Sequence, residues 1–242
     1  MSPRPPPPPL SGRSPSPASR GRINAPRLYL TTPAVDDQAS FARDIEAALD
    51  SADIAAVLLR LAEADERTLI NRGKAMATLV QRRDVALLLD GHPELVARVG
   101  ADGAHLTGID TFVAALPLLK PDRIAGCGGL HSRHDAMLAA ENGADYVMFG
   151  EPPPPYPPPR AGEGKGGGRR PPFEETEERL AWWAELVELP CVGYAASRDE
   201  VTALTQIGVD FIALGEWIWT APEGLAATVK AVAADLADPV PR

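Results

Sequence analysis

A short pattern occurs three times in this chain: a glycine, one small apolar residue, an aspartate and then an apolar run. The copies begin at Gly100, Gly143 and Gly208, and each follows a helical stretch. A glycine can take the left-handed conformation that ends a helix. An apolar run without polar alternation is typical of a strand covered on both faces, as in a parallel sheet. The repeat therefore predicts an architecture in which helices alternate with parallel strands.

The rest of the chain extends this alternation to eight units of strand and helix. The predicted strands cover residues 28–30, 55–59, 85–89, 104–106, 124–127, 146–149, 191–194 and 211–214. Between them, apolar residues recur at helical spacing, as in the stripe of Leu225, Val229, Val232 and Leu236. Proline at position 117 is expected to break or bend the fourth helix. Eight units predict an α/β protein with a single (β/α)8 TIM barrel, and a doubly wound open sheet remains the structural alternative.

Two segments differ in composition from this alternating pattern. Residues 1–26 hold nine prolines without apolar periodicity, and residues 151–172 are rich in proline, glycine and basic residues. Neither segment can bury enough apolar surface to offset the entropy of ordering it. We therefore predict a disordered tail at 1–26 and one barrel domain at 27–238. The domain would carry a flexible loop insert at 151–172, and a short tail would follow at 239–242.

Charge and cysteine content narrow the class of protein. The net charge of −9 argues against a surface that binds nucleic acid, because phosphate binding needs a basic patch. No apolar run approaches the roughly 20 residues of a membrane span, so no membrane partner is expected. Cys127 and Cys191 each lie inside a predicted strand, as reduced core thiols would in a cytoplasmic protein. The sequence does not indicate an oligomeric state.

In a barrel of this type, functional residues collect at the carboxyl ends of the strands. The residues at these predicted ends are Arg60, Asp90, His105, Thr107, Asp110, Gly128, Gly129, Glu151, Ala195, Ser197, Gly215 and Glu216. Among them, Asp90 and Asp110 could hold a hard cation while Arg60 binds an anionic leaving group. The alternative is structural, since Asp90 precedes Gly91 as in many turns and Asp110 could cap a helix.

With these strand ends placed, the chain resembles the thiamine phosphate synthase family, including its TenI-like relatives. The resemblance covers about residues 27–236 and rests on residues 28–31, 101–106 and 143–150. It implies a (β/α)8 fold and a role in thiamine biosynthesis. The implied reaction joins a hydroxymethylpyrimidine pyrophosphate to a thiazole phosphate and releases pyrophosphate with help from Mg²⁺. The implied partners are therefore small phosphorylated pyrimidine and thiazole ligands.

The resemblance also implies roles for individual residues. Arg60 would be the catalytic residue that grips the pyrophosphate, and Asp90 and Asp110 would bind Mg²⁺. The positions that would bind substrate phosphate are Gly128, Gly129, Ala195, Ala196, Gly215 and Glu216.

Several family positions differ in this chain. The family signature Gln-x-Arg-x-Lys on the second strand keeps only its arginine, because the flanking positions read Leu58 and Ala62. The Thr-x-Thr-Lys loop after the sixth strand is replaced by Glu151 and a run of prolines, and the serine after the eighth strand by Glu216. These losses keep an alternative open, in which the barrel binds a thiamine precursor without catalysis or with a TenI-like activity. For the TenI-like activity, His105 or Glu216 would be the acid or base.

The insert contains basic residues that could compensate for the lost phosphate contacts. Lys165, Arg169 and Arg170 would emerge at the catalytic face, where they could fold over an anion. A solvated spacer without such a role is the favoured interpretation of this segment.

Overall fold

Eight parallel strands close into a barrel in the computed structural model, which describes residues 25–36, 38–152 and 170–237. The strands are β1 (Arg27–Val35), β2 (Ile54–Leu61), β3 (Ala86–Asp90), β4 (Gly103–Thr107), β5 (Ile124–Gly128), β6 (Tyr146–Phe149), β7 (Cys191–Ala195) and β8 (Phe211–Leu214). β1 pairs with both β2 and β8, so the sheet has no open edge. The predicted barrel is confirmed and the open-sheet alternative is excluded. Residues 1–24 and 239–242 of the predicted tails lie outside the described residues.

A helix follows each strand along the described part of the chain. The helices are α1 (Gln38–Leu49), α2 (Glu66–Gln81), α3 (Val96–Val99), α4 (Ile109–Leu119), α5 (Arg133–Glu141), α6 (Phe173–Leu186), α7 (Arg198–Ile207) and α8 (Leu225–Ala237). Short 3-10 helices at Pro93–Leu95 and Glu216–Trp219 complete the connections after β3 and β8. None of the helices in the described ranges is both long and apolar enough to cross a membrane.

The repeated glycine–aspartate pattern has a structural explanation at the amino ends of the strands. Each glycine has a positive φ and each aspartate accepts a hydrogen bond from a backbone N–H of the preceding strand. The bonds join Asp102 to Leu87, Asp145 to Ala125 and Asp210 to Cys191, at 2.7, 2.7 and 2.9 Å. The motif therefore ends a helix, starts an even-numbered strand and ties that strand to its odd-numbered neighbour.

Two prolines behave differently from the sequence prediction. β1 was expected to end near residue 30, but it continues through Pro33 to Val35. A register shift between Thr31 and Ala34 places Pro33 at an irregularity of the β1–β2 ladder, where its missing N–H removes no regular bond. The predicted break at Pro117 is wrong, since α4 runs unbroken to Leu119, and the alternative of a bend there stays a prediction. Pro117 lacks the N–H that would bond to the carbonyl of Val113, and α4 ends two residues further on, at Leu119.

The side chains inside the barrel ring form a small core of their own. Tyr29, Leu58, Tyr146 and Met148 are all buried there, separate from the larger core between strands and helices. Gly126 leaves the space for one of these rings, because a β carbon at this position would lie 2.1 Å from the Tyr146 ring. The aromatic interior supports the floor of the barrel mouth at the carboxyl ends of the strands.

Candidate active site

A pocket opens at the carboxyl end of the barrel, where TIM barrels carry their active sites. Its lining residues come from the ends of six strands and the loops after them. They are Thr31, Leu58, Arg60, Asp90, His105, Thr107, Met148, Glu151, Pro152 and Tyr194. Charged and polar groups thus share the pocket with apolar walls, a combination that suits a small polar ligand with a ring.

Arg60 and Asp90 form a buried ion pair in this pocket. Arg60 Nε donates to Asp90 Oδ2 at 2.9 Å, and both side chains are less than 5% exposed, at 3% and 4%. Burial alone would lower the pKa of Arg60, but the charge and hydrogen bond of Asp90 outweigh it and raise that pKa. Arg60 Nη1 also lies 3.4 Å from Oε1 of the exposed Glu216. The pair fixes a permanently charged guanidinium at the pocket, and its remaining N–H donors suit an anionic group.

A chain of three buried polar side chains runs beneath the pocket. The hydroxyls of Tyr29 and Tyr146 are 3.0 Å apart, and the Tyr146 hydroxyl is 3.0 Å from His105 Nδ1. Burial lowers the pKa of His105 to about 4, so the imidazole is neutral at physiological pH. Burial also raises the pKa of both tyrosines, which therefore stay protonated. This network holds the His105 ring in a fixed orientation without adding charge.

Two buried polar atoms of the pocket lack a hydrogen-bond partner within the described part of the chain. They are Thr31 Oγ1 and His105 Nε2, and the residues are 0% and 2% exposed. A buried polar group without a partner costs free energy, and such groups are rare in native proteins. Both atoms belong to pocket-lining residues, so a bound ligand is the natural source of the missing bonds.

Glu151 brings a carboxyl group to the same region from the end of β6. Its Oε1 accepts a hydrogen bond from the backbone N–H of Gly129. A β carbon at Gly128 would lie 2.1 Å from Glu151 Oε1 and 2.6 Å from His105 Nε2, so these two atoms are neighbours in space. Burial raises the pKa of Glu151 to about 7, and the nearby Asp90 adds to this effect. The Glu151 carboxyl group can therefore hold or lose a proton near neutral pH.

The predicted metal ligands lie at the same end of the barrel but in different surroundings. Asp90 is buried at the end of β3, whereas Asp110 is exposed in the first turn of α4 and outside the pocket lining. Mg²⁺ prefers oxygen ligands and commonly uses one or two carboxylates together with substrate phosphates. The donor types fit Mg²⁺, although the described residues contain no cluster of three or more metal-ligating side chains. Substrate oxygens would have to complete the coordination.

The predicted phosphate-binding positions all lie at the barrel mouth, but three of their backbone N–H groups already have internal acceptors. Gly129 N–H donates to Glu151, Ala196 N–H to Glu200 Oε2 at 2.6 Å, and Gly215 N–H to Ala195 O at 3.0 Å. A phosphate at these positions would have to exchange one or more of these bonds. Their role in phosphate binding stays a prediction.

Arg170 anchors the chain where it returns from the insert. It forms a double ion pair with Glu200 at 2.8 and 2.6 Å and donates to the carbonyls of Gly150 and Tyr194. Its guanidinium also lies over the Tyr194 ring at 5.4 Å. Of the three basic residues named in the insert, Arg170 is therefore paired within the protein, and Lys165 and Arg169 lie outside the described residues.

Sequence reasoning missed the inner polar residues of the site. Tyr29, Thr31, Tyr146 and Tyr194 lie within predicted strands or at their ends, and the sequence pattern assigns them no functional role. The signal that identifies them is the alternation of side chains between the two faces of a strand. In β6 this alternation places Tyr146 and Met148 inside the barrel, whereas Val147 and Phe149 pack against the helices.

Comparisons with known proteins point to one family. The model of the thiamine monophosphate synthase family matches residues 28–163. The chain is 40% identical over 205 residues to a thiamine-phosphate synthase of Rhodospirillum centenum, covering 84% of this chain and 94% of that protein. It is 34% identical over 212 residues to the thiamine-phosphate synthase of Hyphomonas neptunium, covering 85% and 91%.

A solved structure shows the same fold. The thiamine phosphate pyrophosphorylase from Pyrococcus furiosus superposes with a TM-score of 0.68 at 22% identity. The match covers 88% of this chain and 98% of that one, so nearly the whole of that structure superposes on this chain.

Proposed function

Because this chain belongs to the thiamine monophosphate synthase family, as its sequence predicted, we propose that it synthesises thiamine phosphate. The proposed reaction joins a hydroxymethylpyrimidine pyrophosphate to a thiazole phosphate and releases pyrophosphate. The alternative of a non-catalytic or TenI-like barrel is not favoured, because the relatives that cover most of the chain are named as synthases. The observation that carries the proposal is the buried Arg60–Asp90 pair in the barrel mouth.

The proposed chemistry is a substitution at the pyrimidine methylene carbon. The bond from this carbon to the pyrophosphate oxygen breaks, and the oxygen keeps the electron pair. The thiazole nitrogen supplies the electron pair of the new carbon–nitrogen bond, and its ring becomes a cation. Negative charge therefore grows on the leaving group, where positively charged donors held in place stabilise the transition state most.

Arg60 is suited to this task because Asp90 fixes its orientation before substrate arrives. Its guanidinium can donate two parallel hydrogen bonds to phosphate oxygens. Asp90 and Asp110 are the residues that would hold Mg²⁺, which would neutralise part of the pyrophosphate charge when bound. Leu58 and Met148 supply apolar walls that exclude water from the reacting carbon.

The cysteines and the net charge indicate the cellular location and the kind of ligand. Both cysteines are buried and free, which supports a reducing compartment such as the cytoplasm. The net charge of −9 supports small phosphorylated pyrimidine and thiazole ligands over nucleic acid as partners. Binding of their phosphates would involve the loops after β5, β7 and β8.

The proposal is tested by incubating the protein with both substrates and Mg²⁺ and measuring thiamine phosphate and pyrophosphate. Both products should appear in equal amounts, and Asp90→Asn should lower kcat/KM by about 100-fold because Arg60 loses its charged partner. Asp53→Asn is the matched control, since it breaks an exposed ion pair between Asp53 and Arg27. Asp53 lies just before β2, at the end of the barrel opposite the pocket. Absence of product would refute the synthase assignment, whereas an Asp90→Asn variant as active as wild type would refute the role of the Arg60–Asp90 pair.

A further inference from the structure

Glu151 is the pocket carboxyl group that the proposed pyrophosphate chemistry leaves without a role. Asp90 is paired with Arg60, and Glu216 contacts the same guanidinium from the exposed rim. Glu151 instead contacts the Gly129 N–H and takes part in no ion pair with the residues that the structure describes. Its position beside His105 Nε2 is possible only because residue 128 is a glycine.

The surroundings of Glu151 suit a flat ring that carries hydrogen-bonding groups on its edge. Leu58 and Met148 provide buried apolar surface in the pocket lining. Thr31 Oγ1 and His105 Nε2 are buried and unpartnered within the described residues. A ring nitrogen or amino group could satisfy such atoms, whereas the anionic pyrophosphate matches the guanidinium of Arg60.

Position 58 of β2 supplies no polar group to such a ring. Leu58 occupies the position where the family signature has a glutamine, and its side chain is 2% exposed in the pocket lining. An amide both donates and accepts hydrogen bonds, which leucine cannot do. Polar groups for such a ring must therefore come from other strand ends. A protonated carboxyl group such as that of Glu151 offers a donor and an acceptor on the two oxygens of one flat group, as an amide does on its nitrogen and oxygen.

An aminopyrimidine ring presents an acceptor nitrogen next to an amino donor. A carboxyl group matches this edge with two parallel hydrogen bonds: one oxygen accepts from the amino group and the other shares a proton with the ring nitrogen. We propose that Glu151 determines specificity for the amino-substituted edge of the pyrimidine substrate. This inference rests on the proposed function, whose first substrate is an aminopyrimidine.

The protonation behaviour of Glu151 agrees with this role. Burial raises its pKa to about 7, so the proton that the pair needs is available at physiological pH. The charged and titratable groups around it are Asp90, Arg60, His105, Tyr29, Tyr146 and Cys127, whose thiol stays protonated because burial raises its pKa. Of these, His105 is neutral and the tyrosines are protonated, so Asp90 and Arg60 supply the fixed charges nearby.

The test compares the pyrimidine pyrophosphate with an analogue in which hydrogen replaces the amino group. Binding of each is measured by calorimetry near pH 7 without thiazole phosphate, so no product has to form. The wild-type protein should bind the amino compound about 100-fold more tightly, and Glu151→Leu should reduce this preference below about 10-fold. Glu151→Gln should keep most of the preference, because an amide still offers one donor and one acceptor.

Glu200→Gln is the matched control for this experiment. Glu200 also accepts a backbone N–H at the barrel mouth but lies outside the pocket lining, so its substitution should leave the preference unchanged. The inference is overturned if the wild type binds both compounds equally or binds neither. It is also overturned if Glu151→Leu keeps the wild-type preference or if Glu151→Gln loses it.

The outcome is separable from that of the synthase assay. A protein that forms thiamine phosphate without preferring the amino compound would refute the role of Glu151 and keep the proposed function. A protein that prefers the amino compound, loses this preference in Glu151→Leu and yet forms no product would refute the proposed function and keep the role of Glu151.

Discussion

Gly128 shows how a single residue determines what the pocket can contain. Any larger residue would place its β carbon 2.1 Å from Glu151 Oε1 and 2.6 Å from His105 Nε2. The distances are far below van der Waals contact, so at least one of the two polar groups would have to move. The conformation of Gly128 is not what requires glycine here, since its φ is not positive; the requirement is space.

Glu151 should make the stability of the protein depend on pH in a direction opposite to that of most carboxylates. Its folded-state pKa of about 7 lies above the ordinary value of 4.5, so the folded protein binds the proton more tightly than the unfolded chain. The stabilisation that the bound proton of Glu151 gives the folded protein is therefore complete below the unfolded-state pKa. It is lost as the pH rises through the folded-state pKa. Glutamine at this position carries no titratable proton and lacks this dependence.

The measurement is urea unfolding of wild type and Glu151→Gln at about pH 5 and about pH 8. The difference in free energy of unfolding, Glu151→Gln minus wild type, should increase by on the order of 1 kcal/mol as the pH rises from about 5 to about 8. Other titrating groups, including His105, are common to both proteins and cancel in the difference. A difference that is constant with pH, or that falls, would contradict the raised pKa.

At this scale the sequence predicted some site residues and not others, for a physical reason. Arg60 and Asp90 were predicted because a charged residue at the end of an apolar strand is conspicuous, and the structure brings the two together. Tyr29 and Tyr146 were not, because an aromatic residue within an apolar run has the same pattern whether its hydroxyl is used or not. Their contact depends on residues 117 positions apart, which local sequence does not encode.

Among the elements, the repeated aspartates connect β3 with β4, β5 with β6 and β7 with β8 through hydrogen bonds. Asp102, Asp145 and Asp210 each precede an even-numbered strand and accept an N–H from the odd-numbered strand before it. The sequence predicted the helix end and the strand start from this motif. It could not predict the acceptor role of the aspartate, because the N–H that it binds lies some 15 to 20 residues earlier in the chain.

The Asp102→Ala substitution tests the importance of this tie. Asp102 is 6% exposed, and its removal leaves the buried N–H of Leu87 without its acceptor. The free energy of unfolding should fall by about 1–3 kcal/mol. Ligand binding at the pocket should stay within about twofold of wild type, because Asp102 lies at the amino ends of the strands and the pocket at the other end.

Asp102→Asn is the control, since its side-chain oxygen can still accept the Leu87 N–H. Urea unfolding of the three proteins at one pH measures the effect. If alanine and asparagine were equally destabilising, the acceptor would not be the relevant feature. Equal stability of Asp102→Ala and wild type would show that the tie is not needed.

For the whole molecule, the seam between first and last strand decides whether the sheet is a barrel. β1 and β8 pair over four residue positions, from Arg27–Phe211 to Leu30–Leu214. The eightfold alternation predicted this closure, because eight strands with short connections have a well-defined barrel geometry. The sequence did not predict the residues that secure the seam. They belong to the 3-10 helix after β8, whose apolar run Trp217–Trp219 has no clear periodicity.

Trp219 links the segment after β8 to β1 at this seam. Its indole N–H donates to Thr31 O at 2.8 Å across 188 sequence positions, and its ring stacks on Phe41 at 4.6 Å. Trp219→Phe should therefore remove the hydrogen bond but keep much of the stacking, at a cost of about 1 kcal/mol. Trp219→Ala should remove both contacts and cost about 3 kcal/mol.

The seam also supports the pocket, because Thr31 is a lining residue and its backbone is held by Trp219. Trp219→Ala should consequently weaken binding of the pyrimidine pyrophosphate as well as lower the free energy of unfolding. Trp182→Ala is the matched control, since Trp182 is a half-buried tryptophan on α6 whose ring contacts lie away from the seam, with Arg133 and Trp183. Unfolding in urea and calorimetric binding, measured on the same samples, give both effects. If Trp219→Ala lost stability while keeping wild-type affinity, the seam would hold the barrel closed without shaping the pocket.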